Sequence, residues 1–358
     1  MKTSRACGPK TERPGQTAGL ALDRRHRLVA ELMATIYIAV IAAVAYVTGA
    51  FYVMFPELGA LSHDVFTRPR GTWASVPFLL AITPVLTGAI GIVFTRALPY
   101  GYLSVLLTVL GAVLVVFALK SPVAPAISAG LLPLVLGVKS WWYPPGVLLG
   151  TVLLAGLSIS WQKLSLEQNW LEPLTPREVV DEAVEQMPAG SYWLAALLVF
   201  VAAAVFAVEL TGRPAVQRLL VNSRELRFIL FPPLVVIGFE MFGHTAICPW
   251  AKKPMRLPVA CFVTASGGLL FMQWLGVGPV SAACSMAWGI VALRLFDLHV
   301  PPALAVAFLP QVMDSPTIAY PISVGLGTLM LTLWFLLYQQ IPTKLPLFPL
   351  MRARSALR

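Results

Sequence analysis

The sequence predicts an all-α polytopic membrane protein: about ten transmembrane helices in two pseudo-symmetric, inverted repeats with re-entrant or broken helices. Three observations support this fold class. Hydrophobic residues make up 58% of the chain and charged residues 12%, about half the charged share of an average soluble domain. Long uncharged runs match the thickness of a bilayer, and a string of residues in the first half recurs in the second.

The apolar runs define the candidate spans. They are 32–50, 76–95, 101–119, 123–138, 145–162, 191–210, 228–247, 256–274, 277–296, 300–313 and 319–340. Two of them, 123–138 and 300–313, are short and interrupted by Pro, with Gly also in the first, and 51–67 is apolar only in part. These segments predict broken or re-entrant helices, whose backbone must line a protein-walled cavity.

The internal repeat is carried by a motif with a constant offset. Tyr143-Pro144, Val147 and Gly150-Thr151 recur 177 positions later as Tyr320-Pro321, Val324 and Gly327-Thr328. Leu132-Pro133 recurs at the same spacing as Leu309-Pro310, and Phe55-Pro56 recurs 176 positions later as Phe231-Pro232. We therefore define membrane repeats at 31–162 and 191–340.

The charges of the loops predict how the halves are oriented. The Arg-rich stretch 211–228 and the basic tails 1–30 and 341–358 favour the cytoplasm, whereas the acidic linker 163–190 favours the outside. Treating 51–67 and 228–247 as re-entrant gives five crossings per half and an inverted repeat. The alternative is a parallel arrangement with twelve spans.

The same features predict a multi-pass protein of the plasma (inner) membrane with both termini cytoplasmic. In the acidic linker, Thr175 as N-cap and Pro176 in the first turn predict a short surface helix from Pro176 to Gln186. The net charge of +10 lies in tails and short loops, which favours contact with lipid headgroups over nucleic acid. A homo-oligomer stays possible.

Ionisable residues within the apolar runs are candidate functional groups, because a charge in the membrane is costly. Glu240 and His244 are four apart, on one face of a helix, and Thr245 follows. Lys252, Lys253 and Arg256 come directly before an apolar run. Since the start of a helix exposes unpaired backbone N–H groups, these cations predict an anion site. The simpler alternative is an ordinary positive loop on the cytoplasmic side.

A second group lies between two later spans. Arg294 and Asp297 are three apart and predict a structural ion pair at a helix end. Pro301 and Pro302 force a helix break near His299, which places free backbone groups at membrane depth.

A buried hydrogen bond is the simpler role for His244 and His299. Glu240 and His244 have no third ligand nearby in the sequence, so we expect neither a metal nor another cofactor.

Residues 299–303, His-Val-Pro-Pro-Ala, resemble the motif of the HPP family of integral membrane proteins. Residues 242–246 and 251–256 are similar to two further segments of that family, and the resemblance covers roughly 228–340 and, more faintly, 51–160. Some members are assigned to nitrite transport. The resemblance therefore implies a membrane transporter or channel for a small monovalent anion such as nitrite.

On this hypothesis His244, Thr245, Lys252, Lys253, Arg256, His299, Pro301 and Pro302 contact the anion, and Glu240 couples its movement to a proton. One alternative is a membrane enzyme acting on a lipid-linked substrate, although the sequence has no Gly-x-Ser-x-Gly or His-Glu-x-x-His motif. Another is a membrane sensor or assembly protein.

Overall fold

The computed structural model describes residues 20–188, 192–211 and 223–340, and these are mostly helical. The α-helices are α1 (Arg24–Thr48), α2 (Leu58–Thr67), α3 (Pro77–Ala97), α4 (Tyr102–Ala118), α5 (Ala126–Leu136), α6 (Tyr143–Glu167), α7 (Pro176–Val184), α8 (Tyr192–Thr211), α9 (Pro232–Gly243), α10 (Arg256–Leu275), α11 (Pro279–Leu295), α12 (Pro301–Val312) and α13 (Ala319–Gln340). Short 3-10 helices span Phe51–Val53, Ser223–Leu230 and Trp250–Lys252, and strands β1 (Leu20–Leu22) and β2 (Leu171–Pro173) pair in antiparallel fashion.

Six of these helices, α1, α3, α6, α8, α10 and α13, are long and apolar enough to cross a membrane. Large apolar side chains are exposed on their outer faces, for example Phe78 on α3 and Leu333 on α13. In water such a surface would be unfavourable, whereas in a bilayer it contacts lipid. The prediction of an all-α, multi-pass membrane protein is confirmed at this level.

Four short helices, α2, α5, α9 and α12, form the centre of the bundle. Almost every residue of each is buried. Helix α2 packs against α12, and α9 packs against both α5 and α12. At the first contact Gly59 lies directly against the ring of Phe308, where a larger side chain would collide. The Pro- and Gly-rich runs therefore form broken helices in the protein interior, as predicted.

A tyrosine in each half compensates for a proline in a neighbouring helix. Pro133 has no backbone N–H, so the carbonyl of Ala129, four residues earlier in α5, loses its helical donor. The Tyr143 hydroxyl donates to that carbonyl at 2.9 Å. Pro310 and Val306 have the same relation in α12, and the Tyr320 hydroxyl donates to the Val306 carbonyl at 2.6 Å. This explains why the Leu-Pro and Tyr-Pro motifs recur together.

Two close backbone contacts also occur in both halves. A Cβ added to Gly91 on α3 would lie 2.0 Å from the Gly130 carbonyl oxygen of α5. One added to Gly268 on α10 would lie 2.2 Å from the Ala307 carbonyl oxygen of α12. Only glycine allows these helices to approach so closely.

The segment 51–67 runs the length of the bundle. Near its start, Tyr52 lies against Gly146 at the beginning of α6. Near its end, the Phe66 carbonyl accepts a hydrogen bond of 2.9 Å from the indole of Trp161 in the last turns of α6. The prediction that this segment is re-entrant is therefore wrong.

The equivalent segment 228–247 behaves in the same way. The carbonyl of Ile229 lies against Gly327 in the first half of α13, and the Phe242 ring packs 5.3 Å from the Tyr338 ring near its end. This segment is not re-entrant either, and the described helices of each half run along the bundle in six passes rather than the predicted five.

An even number of traverses returns the chain to the end where it started. We call this the near end; it holds the start of α1, the end of α6 and the acidic linker that follows α6. Strand β1 pairs with β2, and the ring of His26 stacks on Trp170 at 4.3 Å. The start of α1 and the described part of the acidic linker therefore lie at the same end, contrary to the prediction, and this removes the argument for an inverted repeat. The tails 1–19 and 341–358 lie outside the described residues.

The linker itself contains the predicted surface helix. Thr175 is the N-cap of α7, and the helix extends from Pro176 to Val184. Thr175 and Glu178 form a reciprocal capping box, in which the Glu178 carboxylate accepts from the Thr175 backbone N–H at 2.9 Å. The predicted break near His299 is also confirmed, since α11 ends at Leu295 and α12 begins at Pro301.

Candidate functional site

The near end contains a cavity of about 690 Å³, at the junction of α1, α2, the β2–α7 segment, α11 and the start of α12. Its walls carry both signs of charge. The charged and imidazole groups that line it are Arg27, Glu31, His63, Arg68, Glu172, Glu178, Asp181, Arg294, Asp297 and His299. Carboxylates outnumber arginines by five to three in this set, so the lining is acidic.

All three lining arginines already have acidic partners. Arg27 pairs with Glu178 and Arg294 with Glu31. Glu31 also faces the imidazole of His63, whose Nε2 lies 3.9 Å from its carboxylate. The positive charge in the cavity is therefore largely neutralised within the protein.

Arg68, the third arginine, joins the cavity to a buried cluster behind its wall. Its Nε donates to Asp64 Oδ1 at 2.7 Å, and its guanidinium also bonds to Glu185 Oε1. Asp64 and Arg68 meet because they are four apart at the end of α2, and Glu185 arrives from the C-cap of α7. All three are at least nine-tenths buried.

Each carboxylate of this cluster uses only part of its bonding capacity. Asp64 Oδ2 and Glu185 Oε2 are buried and accept no hydrogen bond from any residue in the described ranges. Burial raises the pKa of the Glu185 carboxyl above its ordinary value, and the charge of Arg68 offsets this only in part. The cluster therefore has acceptor atoms available for a proton or a cation.

His299 completes this arrangement from the segment before α12. One ligand atom from each of Asp64, Glu185 and His299 lies within 4.8 Å of the others. The His63 ring lies 6.4 Å from the His299 ring, between the cluster and the cavity-lining Glu31. His299 also lines the cavity, so the buried cluster is adjacent to the cavity wall.

Glu240 adds a third carboxylate from the other half of the chain. It lies on α9, is only 1% exposed, and its Oε2 has no hydrogen-bond partner among the residues that the structure describes. Its charge interacts with those of Glu185, Asp64 and Arg68. We call Asp64, Arg68, Glu185, Glu240 and His299 the buried cluster.

The basic residues predicted to bind an anion lie elsewhere. Lys252, Lys253 and Arg256 are exposed at the near end and do not line the cavity. Lys253 donates to Asp297 at 2.8 Å, and Arg256 donates to the Phe296 carbonyl at 3.3 Å. Their position agrees with the simpler alternative of an ordinary positive loop.

The remaining predicted site residues divide into two groups. His299 and Pro301 line the cavity and Pro302 is buried beside them. His244 is the C-cap of α9 and bonds through its backbone to the Glu240 carbonyl at 3.0 Å, but neither it nor Thr245 lines the cavity.

Arg294 and Asp297, which were predicted to form a structural ion pair, each pair with a residue of another segment. Helix α11 ends at Leu295, and Asp297 has a left-handed backbone with φ of 51°, so the helical spacing of three residues does not apply. Arg294 instead pairs with Glu31 of α1, and Asp297 pairs with Lys253.

Sequence reasoning missed Asp64, Arg68 and Glu185 as site residues. One signal was present: Asp64 precedes Glu240 by 176 positions, the spacing that relates Phe55 to Phe231. Comparison of the repeats therefore already aligned the two buried carboxylates. Nothing in the sequence indicated that Glu185, in a polar linker, would join them.

Comparison with known proteins identifies no relative: no protein-family model, no curated protein and no solved structure matches this chain. The resemblance to the HPP family therefore stays a prediction.

Proposed function

We propose that this chain is a multi-pass membrane transporter whose solute enters the near-end cavity and reaches the buried cluster between the two halves. The observation that carries the proposal is a cluster of incompletely bonded carboxylates, which lies at the near end of the central broken helices and adjacent to a cavity. Ionisable groups are costly in a membrane interior and typically mark solute or proton pathways. Broken helices at the junction of two repeats commonly form the binding sites of transporters.

We further propose that the halves are related repeats with the same orientation and twelve traverses in total. The Tyr143–Ala129 and Tyr320–Val306 hydrogen bonds support this, because they join equivalent positions in the two halves. The packing is also reciprocal: α2 of the first half contacts α12 of the second, and α9 of the second contacts α5 of the first. A pseudo-two-fold axis along the membrane normal would produce this pattern.

The near end is proposed to face the cytoplasm. Basic residues of the described ranges are concentrated there, and they are Arg25, Arg27, Arg68, Arg70, Lys120, Lys163, Lys252, Lys253, Arg256 and Arg294. The described residues at the opposite end include Arg96, Lys139 and Arg227. Since the orientation rule counts Lys and Arg and gives little weight to acids, the acidic linker is compatible with a cytoplasmic near end.

The charge of the cavity favours a cationic solute over an anion. The arginines are paired, carboxylates are in excess, and Lys252, Lys253 and Arg256 lie outside the cavity. A small anion such as nitrite, implied by the HPP resemblance, is the alternative substrate.

Reconstitution in liposomes tests the proposal. The purified protein is assayed for uptake of Mn²⁺, Zn²⁺, K⁺, nitrite, nitrate and formate, with protein-free liposomes as the baseline. Asp64→Asn should lower cation flux by at least about tenfold, equivalent to ~1.4 kcal/mol. Asp314→Asn changes an exposed carboxylate at the opposite end and is the matched control.

Flux of no solute above the baseline would refute transport. Anion flux that Asp64→Asn leaves unchanged would refute the cationic substrate and the proposed path.

A further inference from the structure

We propose that Asp64, Glu185 and His299 bind a divalent first-row transition-metal ion, which is the cation that the protein transports. This inference rests on the proposed function for the movement of the ion, whereas the binding site itself stands on the geometry of the buried cluster. The site would be built by three separate parts of the chain: α2, the end of α7 and the segment before α12.

The donor set supports a transition metal. Two carboxylates and one imidazole offer ligand atoms within 4.8 Å of one another, a spacing that one ion can bridge. Carboxylate oxygens alone suit Mg²⁺ and Ca²⁺, whereas addition of an imidazole nitrogen favours Mn²⁺, Fe²⁺ or Zn²⁺.

The incompletely bonded oxygens provide an independent observation. Arg68 occupies Oδ1 of Asp64 and Oε1 of Glu185, while Oδ2 and Oε2 are buried without a hydrogen-bond partner among the described residues. Buried polar atoms are nearly always bonded in proteins, so each exception needs an explanation. A metal ion can use the second oxygen of each carboxylate while Arg68 keeps the first.

Access to the site is available from the cavity. His299 and Arg68 line the cavity, and Asp64 and Glu185 lie behind them. An ion entering from the near end would therefore meet His299 first, and the acidic lining would concentrate cations there.

Metal binding is measured on the full-length protein, purified in detergent and stripped of metal. Isothermal titration with Zn²⁺ and Mn²⁺, and absorption spectroscopy with Co²⁺, should show one ion per chain, with Mg²⁺ and Ca²⁺ much weaker. Asp64→Asn, Glu185→Gln and His299→Ala should each weaken binding by at least about tenfold. His244→Ala removes a half-buried histidine outside the cluster and should leave binding unchanged.

A ligand replacement keeps the test informative if those variants fold poorly. In His299→Cys, bound Co²⁺ should gain the intense near-ultraviolet absorption of a thiolate ligand, which wild type lacks. The same band in wild type, or its absence from a folded His299→Cys that binds Co²⁺, would overturn the assignment of His299 as a ligand.

Two results would overturn the metal site as a whole. One is the absence of metal binding to folded wild-type protein, in which case protons neutralise the cluster. The other is binding that the Asp64 and Glu185 variants leave unchanged.

The binding assay tests the metal site and the transport assay tests the proposed function, so failure of one can be distinguished from failure of the other. Stoichiometric metal binding without metal flux would contradict the proposed function and leave the site intact. Cation flux by a protein that binds no transition metal would contradict the site and leave the transport proposal intact.

Discussion

The tyrosine that compensates for a helix proline can be tested by a double-mutant cycle. Tyr143→Phe removes the hydroxyl that donates to the Ala129 carbonyl at 2.9 Å, and Pro133 prevents the helix backbone from replacing it. A buried carbonyl left without a donor costs about 1–3 kcal/mol, so we expect Tyr143→Phe to lower stability by that amount. In a Pro133→Ala background, the new backbone N–H of residue 133 can donate to the Ala129 carbonyl. Tyr143→Phe should therefore lower stability by about 1 kcal/mol less in that background than in the wild type.

The assay is reversible unfolding of the purified protein in mixed micelles, followed by tryptophan fluorescence or circular dichroism. The single and double variants of Tyr143 and Pro133 are compared, and the cycle is repeated with Tyr320 and Pro310. Tyr46→Phe, at an exposed tyrosine of α1, should have almost no effect.

Equal costs of Tyr143→Phe with and without Pro133 would refute the reasoning. Compensation in the first half but not in the second would refute the equivalence of the two contacts.

Three further predictions concern packing and the linker. Gly91→Ala and Gly268→Ala should each destabilise the protein by at least about 1–3 kcal/mol, because the new methyl group meets a backbone oxygen. Gly156→Ala has open space around it and should be tolerated. Comparable thermal stability of all three variants would contradict this. Thr175→Ala removes half of the capping box and should lower the free energy of unfolding of the α7 region by about 1 kcal/mol. The measurement is backbone amide hydrogen exchange, which should become faster in α7, and an unchanged exchange rate would exclude a stabilising cap. Burial raises the pKa of Glu178, but hydrogen bonds from Thr175 and the charge of Arg27 lower it, and the net pKa lies below its ordinary value. The ionised carboxylate therefore stabilises the protein above about pH 5, and this stabilisation is lost as pH falls through the lowered pKa. Acid should narrow the stability difference between wild type and Glu178→Gln, whereas a difference that stays constant with pH would contradict the shift.

The sequence predicted the helical architecture well because membrane helices have strong local signals. Apolar length identified the long spans, and Pro and Gly content identified the broken helices. The N-cap at Thr175 and the break near His299 were also local features, and both are present. Each depends on residues within one or two turns of one another.

The orientation of the halves was wrong for a physical reason. The prediction treated the acids of the linker as a sign of an external loop. In the structure they are partners for cations at the same end of the bundle: Glu178 pairs with Arg27 and Glu185 with Arg68. Because acidic residues contribute little to membrane orientation, their number did not indicate a side.

The site was hard to predict because its parts are distant in sequence. Asp64, Glu185 and His299 are more than 100 positions apart from one another and meet only through packing of α2, α7 and the segment before α12. Local spacing in the sequence links Glu240 with His244 and Arg294 with Asp297. The first pair contributes one carboxylate to the cluster, whereas Arg294 and Asp297 pair with Glu31 and Lys253.

The relation between the halves explains why the site is asymmetric. Asp64 and Glu240 occupy equivalent positions, and four residues later Arg68 and His244 both bond through the backbone N–H to the carbonyls of those acids, at 2.8 Å and 3.0 Å. The backbone arrangement is thus shared by the two halves. Only in the first half, however, is the residue four positions after the acid a permanent cation, Arg68. Glu185 comes from the linker, which occurs once, and it adds a further carboxylate to the Asp64 side. The ionisable residues of the second half predicted a site within that half alone, whereas the proposed site is not contained in it. It forms where the first half and the linker meet His299 and Glu240, so a solute bound there would contact both halves at once.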